Sequence, residues 1–321
     1  MGYLEFLQFL PKYVVGSLSA IAIMGDSPYD FYEKTMWFFR CFGCPFDGLL
    51  HSLIGGEKVS CCLYWLSSNY FKLKNNEDSN DNGTHYLKYR PFGFYAMKLN
   101  KDDKEQNERI NKYVKRCTAN LPVLERISLF ITSYYIIFGV IEGVSMMYGK
   151  IFCEEWAYLP LLFSWTIPVI WKRGKYGVQV VIDPKLVFKN IQIIVDENPT
   201  NKFPFKKRVT VTITALLSIV YPWVTVIIVY FTPPVGYYCR SKYVTLICVI
   251  WSFNSALAYF WHIKGESDLI MSGNGWLHVW FCTSGFIVAI LVLFLGIFTG
   301  YNTLWVDYFG DACDLSSIGC Y

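Results

Sequence analysis

The chain has 321 residues, of which 54% are apolar, 19% are aromatic and only 17% are charged, with a formal net charge of +4. An average soluble domain has about 25% charged residues, so this composition argues against a soluble fold. A bilayer can cover the apolar surface, and tryptophan and tyrosine favour its interfaces. The composition therefore predicts an all-α polytopic membrane protein with about five transmembrane helices and a mixed, partly irregular cytoplasmic N-terminal region.

Residues 1–123 are predicted to form this cytoplasmic or interfacial region. Its first apolar run, "YVVGSLSAIAIMG" at residues 13–25, is short for a helix that must cross about 30 Å of hydrocarbon. We expect an interfacial or re-entrant helix there, with an extra span near residues 8–25 as the alternative. Near the end of the region, the mixed charges of residues 98–116 predict a solvated helix that leads towards the first span.

Four cysteines of this region form two close pairs, Cys41 with Cys44 in "RCFGCPF" and Cys61 with Cys62 in "SCCLYW". Zinc takes about four soft ligands in a tetrahedral array, and adjacent cysteines do not form the usual second half of such a site. We expect these cysteines to be buried and structural, with palmitoylation or metal binding as alternatives.

Five long apolar runs define a transmembrane bundle over residues 124–298. They approach or exceed the roughly 20 residues that a membrane-crossing helix needs. The second run is short and contains Pro168, and the third contains Pro222 near its middle. The predicted spans lie near residues 127–147, 156–171, 209–231, 243–261 and 276–298.

The first run contains a carboxylate, Glu142, in "SYYIIFGVIEGVSMM". Gly139 and Gly143 have the spacing that lets two helices pack closely, so Glu142 is predicted to flank a helix-packing seam. A charge exposed to lipid at mid-membrane costs about 2.5 kcal/mol or more, which favours a position inside the bundle. Two roles stay open, a neutral acid that holds helices together and a carrier of protons or cations. The predicted intramembrane partners are Asn254, Tyr221 and Thr225.

The charges of the connections predict how the chain is oriented. The connection at residues 172–208 is basic at both ends, whereas the tail at residues 299–321 contains no Lys or Arg. The positive-inside rule places the N-terminal region and the connection in the cytoplasm and the tail outside. The glycosylation sequon at Asn82 is therefore expected to be unused. Within the connection, two β-branched runs around Asp183 predict a β-hairpin.

Four further cysteines fall in segments predicted to be outside, where disulfides are stable. They are Cys153, Cys239, Cys313 and Cys320. The expected pairs are Cys313 with Cys320 and Cys153 with Cys239, although connectivity is not fixed by sequence and four free thiols are the alternative.

Motifs for catalysis are scarce, and no cofactor is predicted. The group of residues most similar to a catalytic site is His262, Glu266 and His278, at the connection between the fourth and fifth runs. These side chains could converge on a metal or a proton if the two spans pair, whereas interfacial histidines among belt tryptophans are the alternative. The basic segments lie beside predicted spans and lack a nucleic-acid-binding module, so anionic lipid headgroups are the predicted partner and no nucleic acid is expected.

The stretch "PPVGYYCRS", residues 233–241, resembles uncharacterised multi-pass membrane proteins of fungi. The resemblance implies a membrane protein and carries over no functional residue. The expected function is a non-enzymatic receptor-like or transport-related bundle in the plasma membrane or an endomembrane. The alternatives are an embedded enzyme that uses His262, Glu266 and His278, or a scaffold that binds lipid or a cytoplasmic partner.

Overall fold

A computed structural model describes residues 31–54, 58–74, 87, 89–91, 96–100, 102–148, 158–196, 205–231, 236–237, 239–263 and 275–298. At several helix ends it describes the backbone only. The candidate span near residues 8–25, the sequon at Asn82 and the tail at residues 299–321 lie outside the described residues.

The described chain is mostly helical, with five short strands. The helices are α1 (Phe31–Gly43), α2 (Pro45–Ile54), α3 (Lys58–Tyr64), α4 (Lys104–Cys117), α5 (Val123–Tyr148), α6 (Tyr158–Phe163), α7 (Ile167–Tyr176), α8 (Pro184–Val187), α9 (Phe205–Phe231), α10 (Cys239–Ile263) and α11 (Trp276–Phe298). The strands are β1 (Phe71–Leu73), β2 (Lys98–Leu99), β3 (Thr118–Asn120), β4 (Val178–Val180) and β5 (Ile193–Asp196). Two 3₁₀ turns lie at Ser68–Tyr70 and Ser164–Thr166.

Four of the described helices, α5, α9, α10 and α11, are long and apolar enough to cross a membrane. They coincide with the first, third, fourth and fifth apolar runs of the sequence. Their exposed faces are rich in large apolar side chains, as on α5, where Phe130, Ile131 and Phe138 are exposed. Such a surface is stable when lipid covers it, because lipid tails impose no cost on apolar side chains.

The second apolar run, predicted as a span at residues 156–171, is not one continuous helix. It is divided into α6, the 3₁₀ turn Ser164–Thr166 and α7. Pro168 lies in the first turn of α7, where a missing N–H is tolerated, so the helix restarts just before it. Within the turn, the Thr166 hydroxyl donates to the Phe163 carbonyl at 2.7 Å, which satisfies a carbonyl at the break.

This broken segment nevertheless runs back along α5. Near its start Pro160 lies against Gly139, and near its end Gly174 faces Leu129 and Phe130. Leu121, just before α5, donates its N–H to the Gly177 carbonyl at 2.7 Å. The segment is therefore antiparallel to α5 over most of the part of α5 whose side chains are described.

A small mixed unit packs beside the start of α5. Its first sheet has the order β1-β5-β2, with β1 parallel and β2 antiparallel to β5, and its second sheet pairs β3 with β4. Helix α4 covers the first sheet, and the Gln106 side chain bonds both the N–H and the carbonyl of Ile194 at 3.0 Å. The charged helix predicted at residues 98–116 is found as α4, Lys104–Cys117, whereas residues 98 and 99 form β2. Asp103 caps α4 by accepting from the Gln106 N–H at 2.8 Å.

The hairpin predicted around Asp183 is wrong. The two β-branched runs form β4 and β5, but these strands belong to different sheets. Asp183 is instead the N-cap of α8 and accepts from the Lys185 N–H at 2.8 Å. The β-branched runs correctly indicated strands, but such runs do not specify which strands pair.

Helices α1 and α2 belong to the predicted N-terminal region, but they pack against the long helices of the bundle. Helix α1 lies along α11, and α2 contacts α9 and α10. The close crossing of α1 and α11 depends on two glycines. A side chain at Gly43 would collide with the Phe281 carbonyl, and one at Gly285 with the Phe39 carbonyl. The apparent N-terminal region thus contributes part of the bundle core.

Helices α9 and α10 meet around Pro222, which has no N–H and interrupts the hydrogen bonds of α9. Side chains of α10 donate to carbonyls around this position. The Ser252 hydroxyl bonds the Ile219 carbonyl at 3.1 Å, and the Cys248 thiol bonds the Pro222 carbonyl at 3.3 Å. Neighbouring side chains commonly satisfy the backbone beside a proline in this way in membrane helices.

Candidate functional site

The bundle core contains a buried ion pair at the turn between α1 and α2. The sequence "RCFGCPFD" ends α1 at Gly43 and begins α2 at Pro45, which brings Arg40 and Asp47 together. Arg40 Nε donates to Asp47 Oδ2 at 2.9 Å, and the two side chains are only 1% and 2% exposed. A buried pair of this kind needs further hydrogen bonds to offset the loss of water.

His278, near the start of α11, provides one of these further contacts. Its Nδ1 lies 2.9 Å from Arg40 Nη1. A guanidinium can only donate, so His278 Nδ1 must be the acceptor, and the neutral ring carries its proton on Nε2. That Nε2 lies 3.6 Å from Cys282 Sγ, and the Cys282 thiol is 3.2 Å from the Met36 carbonyl. The result is a continuous chain of polar contacts between α1 and α11.

Aromatic rings complete the surroundings of the guanidinium. Its Cζ atom lies 5.7 Å from the ring centroid of Trp37 and 5.8 Å from that of Phe281. Contacts of this kind favour a cation by up to about 2 kcal/mol when water is excluded. Arg40 is therefore held by Asp47, by His278 and by two rings. We call Arg40, Asp47 and His278 the Arg40 cluster.

Two polar atoms of the Arg40 cluster are buried without a hydrogen-bond partner among the described residues. They are Nη2 of Arg40 and Oδ1 of Asp47. Buried donors and acceptors are nearly always satisfied, and leaving one unmade costs about 1–3 kcal/mol. One donor and one acceptor on the same ion pair leave capacity for further hydrogen bonds at the cluster.

A shell of side chains from α10 and α11 holds the end of α1 in place. Asn254 Nδ2 donates to the Gly43 carbonyl at 2.8 Å and its Oδ1 accepts from Trp280 Nε1 at 2.9 Å. Trp251 Nε1 donates to the Phe42 carbonyl at 2.7 Å. The last carbonyls of a helix lack partners within the helix, and these donors satisfy them.

Two residues singled out from the sequence are therefore near the ion pair, Asn254 and His278. The predicted set His262, Glu266 and His278 is not shown together. His262 is buried against Phe46, with ring centroids 6.1 Å apart, and Glu266 lies outside the described residues. No group of three His, Cys, Asp or Glu side chains that could hold a metal ion is found in the part of the chain that the structure describes.

The structure describes the backbone at Glu142 but not its side chain, so the predicted contacts of Glu142 are not tested. Glu142 and Gly143 lie in the last turns of α5, where side chains are outside the described part. Gly139 packs against Pro160 of α6, and an added side chain there would collide with the proline ring. The proposed partners have other surroundings. Tyr221 shares a hydrogen bond of 2.8 Å with Ser164, and Asn254 bonds Gly43 and Trp280. Thr225 is buried.

The predicted disulfides also fall outside the description. Cys153, Cys313 and Cys320 are not described, and Cys239 is described by its backbone only, as the first residue of α10. The cysteines of the N-terminal pairs, Cys41, Cys44, Cys61 and Cys62, are all buried, and none of them forms a disulfide among the described residues.

Cys62 has a partner that the sequence did not indicate. It hydrogen-bonds Cys117 at the end of α4, and this bond raises the pKa of Cys62 and lowers that of Cys117. The bond links α3 to the end of α4, directly before β3.

Sequence reasoning missed Arg40 and Asp47. A signal was present, because both are charged residues within the apolar stretch "FFRCFGCPFDGLL". Charged residues in such surroundings usually face one another and are often functional. Comparisons with protein families, with characterised proteins and with solved structures find no match for this chain.

Proposed function

We propose that this chain is a multi-pass integral membrane protein of the transport-related type, without enzymatic activity, whose functional centre is the Arg40 cluster. Helices α5, α9, α10 and α11 are four of its crossings, and the broken segment α6–α7 is the fifth. The observation that carries the proposal is a fully buried Arg40–Asp47 pair among apolar helices, in which one polar atom on each partner has no hydrogen-bond partner among the described residues.

The charge of the cluster explains why it suits proton-coupled transport. Arg40 is positive, Asp47 is negative and His278 is neutral, so the net charge is zero. A proton added to Asp47 or His278 leaves a charge of +1 in an apolar interior, where an uncompensated charge is strongly disfavoured. Protonated His278 would also lose its acceptor towards Arg40. Proton binding therefore favours a different arrangement of α1, α2 and α11.

The enzyme alternative built on His262, Glu266 and His278 has less support. His278 Nδ1 already accepts from Arg40, and the other ring nitrogen faces Cys282. A catalytic base needs a nitrogen directed at its substrate.

Proton flux through reconstituted protein tests the proposal. The purified full chain is placed in vesicles that contain a pH-sensitive dye, and a pH gradient and a membrane potential are imposed. We expect flux above that of protein-free vesicles, and we expect Asp47→Asn and His278→Gln to lower it at least tenfold. His278→Gln keeps a neutral side chain with an acceptor for Arg40, so its melting temperature should change little. Asp47→Asn leaves the buried Arg40 charge without its acid and should lower the stability by about 3–5 kcal/mol, so the flux is compared per amount of folded protein in the vesicles.

Asp102→Asn is the matched control, because Asp102 pairs with Lys74 at 3.2 Å on the exposed surface. It should leave the flux unchanged. Wild-type vesicles without flux, or an Asp47→Asn variant as active as the wild type, would refute the proposal.

A further inference from the structure

A group of cationic and aromatic side chains lies on the surface at the end of α7. Trp171 and Tyr176 are 63% and 48% exposed. The Nζ atoms of Lys172 and Lys175 each lie 5.9 Å from the Tyr176 ring centroid. We call these four residues the α7 collar.

The α7 collar is fixed at the level of the first turns of α5. Arg173 Nη2 donates to Glu125 Oε1 at 3.2 Å, and the Trp171 ring meets the Phe130 ring at a centroid distance of 6.1 Å. The chain then turns at Gly177, whose φ of 58° is in the left-handed region, directly beside the Arg126 guanidinium. The collar therefore has a defined height relative to the first candidate span.

That height coincides with a change in surface chemistry. On α5, Glu125 and Arg126 are the last charged residues before Glu142, and large apolar side chains such as Phe130 and Ile131 are exposed on the helix beyond them. On the α7 side of the collar, Lys172 and Lys175 add two positive charges. Tryptophan and tyrosine concentrate at the headgroup level of a bilayer, and lysines there attract anionic lipids by about 1 kcal/mol each.

We propose that the α7 collar binds the headgroup of an anionic phospholipid, with Lys172 and Lys175 facing the phosphate and Trp171 and Tyr176 at the boundary with the acyl chains. A lipid fits this surface better than a free phosphate ion, because the adjacent exposed face of α5 needs an apolar cover. Acyl chains joined to the same headgroup supply that cover. The lipid then holds the start of α5 and the end of α7 at one depth in the membrane.

A titration of the detergent-purified full chain with short-chain phosphatidylserine tests this site, with the melting temperature as the readout. We expect saturable stabilisation. Lys172→Gln with Lys175→Gln should raise the half-saturating concentration about 25-fold, since about 1 kcal/mol per lysine corresponds to about fivefold each. Lys172→Arg with Lys175→Arg keeps both charges and should retain the wild-type value.

Two controls separate the lipid from other causes. Lys104→Gln with Lys112→Gln removes the same charge from exposed positions on α4 and should leave the titration unchanged. Inorganic phosphate alone should not stabilise the protein. Equal half-saturation in the Lys172, Lys175 glutamine variant and the wild type, or equal stabilisation by phosphatidylcholine or by phosphate, would overturn the proposal.

Discussion

At the scale of single residues, the buried Arg40–Asp47 ion pair is surrounded by further partners of the guanidinium. Arg40 has an acid, an imidazole nitrogen and two aromatic rings around one guanidinium. Breaking such a pair by removing one partner typically costs about 3–5 kcal/mol, although the intact pair itself adds little stability. Removing one partner destabilises the protein strongly, whereas the intact pair adds little to its stability. A role in function therefore explains the pair better than a role in folding.

His51 on α2 is another buried ionisable residue, and it allows a prediction about pH. Its ring is surrounded by Trp37, Tyr64 and Trp65, with centroid distances of 5.1, 4.9 and 5.2 Å. Burial, assisted by the charge of Arg173, lowers its pKa from 6.5 to about 3. The unfolded chain therefore binds a proton that the folded chain excludes, and acid favours unfolding.

The stability contributed by neutral His51 is complete above about pH 6.5 and is lost as the pH falls from there towards about 3. At pH 5 the loss is about 2 kcal/mol, from 1.36 kcal/mol per unit of pKa difference. We expect His51→Phe to flatten the fall in melting temperature between pH 6.5 and 5, with the values above pH 7 as the internal control. An equally steep fall in the variant would show that His51 is not responsible.

At the scale of secondary-structure elements, the contact between α1 and α11 decides whether the Arg40 cluster can form. His278 is on α11 and Arg40 is on α1, so the hydrogen bond between them requires the two backbones to approach closely. Gly43 and Gly285 permit this approach, and a Cβ at Gly43 would lie 2.6 Å from the Gly285 nitrogen. Small residues at helix contacts in membranes serve this purpose.

Gly285→Ala is therefore expected to separate α1 from α11. The added methyl group would collide with backbone atoms of α1, including the Phe39 carbonyl, which cannot rotate away as a side chain could. We expect a loss of about 1–3 kcal/mol, typical of overpacking, measured as a lower melting temperature in one detergent.

Gly174→Ala on α7 is the matched control for this prediction. Its new methyl group would meet only the Leu129 and Phe130 side chains at 3.9 and 4.0 Å, which is ordinary contact. Alanine also favours a helix over glycine by up to about 1 kcal/mol. The control should be neutral or stabilising, and a Gly285→Ala protein as stable as Gly174→Ala would contradict the role assigned to the crossing.

The same elements show what the sequence could and could not predict. The long helices follow from long apolar runs, and α4 follows from its charge pattern, because these signals are local. The partners of β4 and β5 and the hydrogen bond between Arg40 and His278, which are 238 residues apart, depend on how distant segments meet. A single sequence contains no local signal for such contacts, so the contact between Arg40 and His278 could not be predicted from it.

At the scale of the whole molecule, the number of crossings depends on the broken segment α6–α7. Among the described helices, four are each long and apolar enough to cross a membrane. If only these cross, α5 alone separates the basic residues before it from the basic connection at residues 172–208, and the two cannot both be cytoplasmic as their charges favour. The segment α6–α7 runs antiparallel to α5, because Pro160 contacts Gly139 near one end and Gly177 contacts Leu121 near the other. A fifth, discontinuous crossing therefore agrees with both the geometry and the charges.

The resulting topology is a prediction with a direct test. The residues before α5 and the connection at residues 172–208 should face the cytoplasm, and the tail should face the opposite side, because basic segments are retained in the cytoplasm. Single cysteines introduced at Lys112, Lys189 and Thr303 can be labelled with a membrane-impermeant maleimide on intact cells or sealed vesicles. Each is placed in a background whose native cysteines give no label.

We expect label from outside only at position 303, and label at positions 112 and 189 only after the membrane is opened. If the segment α6–α7 does not cross, positions 112 and 189 must lie on opposite sides, since α5 alone separates them. External label at 189 with protection at 112 would therefore reject the discontinuous crossing. External label at both 112 and 189 would preserve the crossing and reverse the orientation.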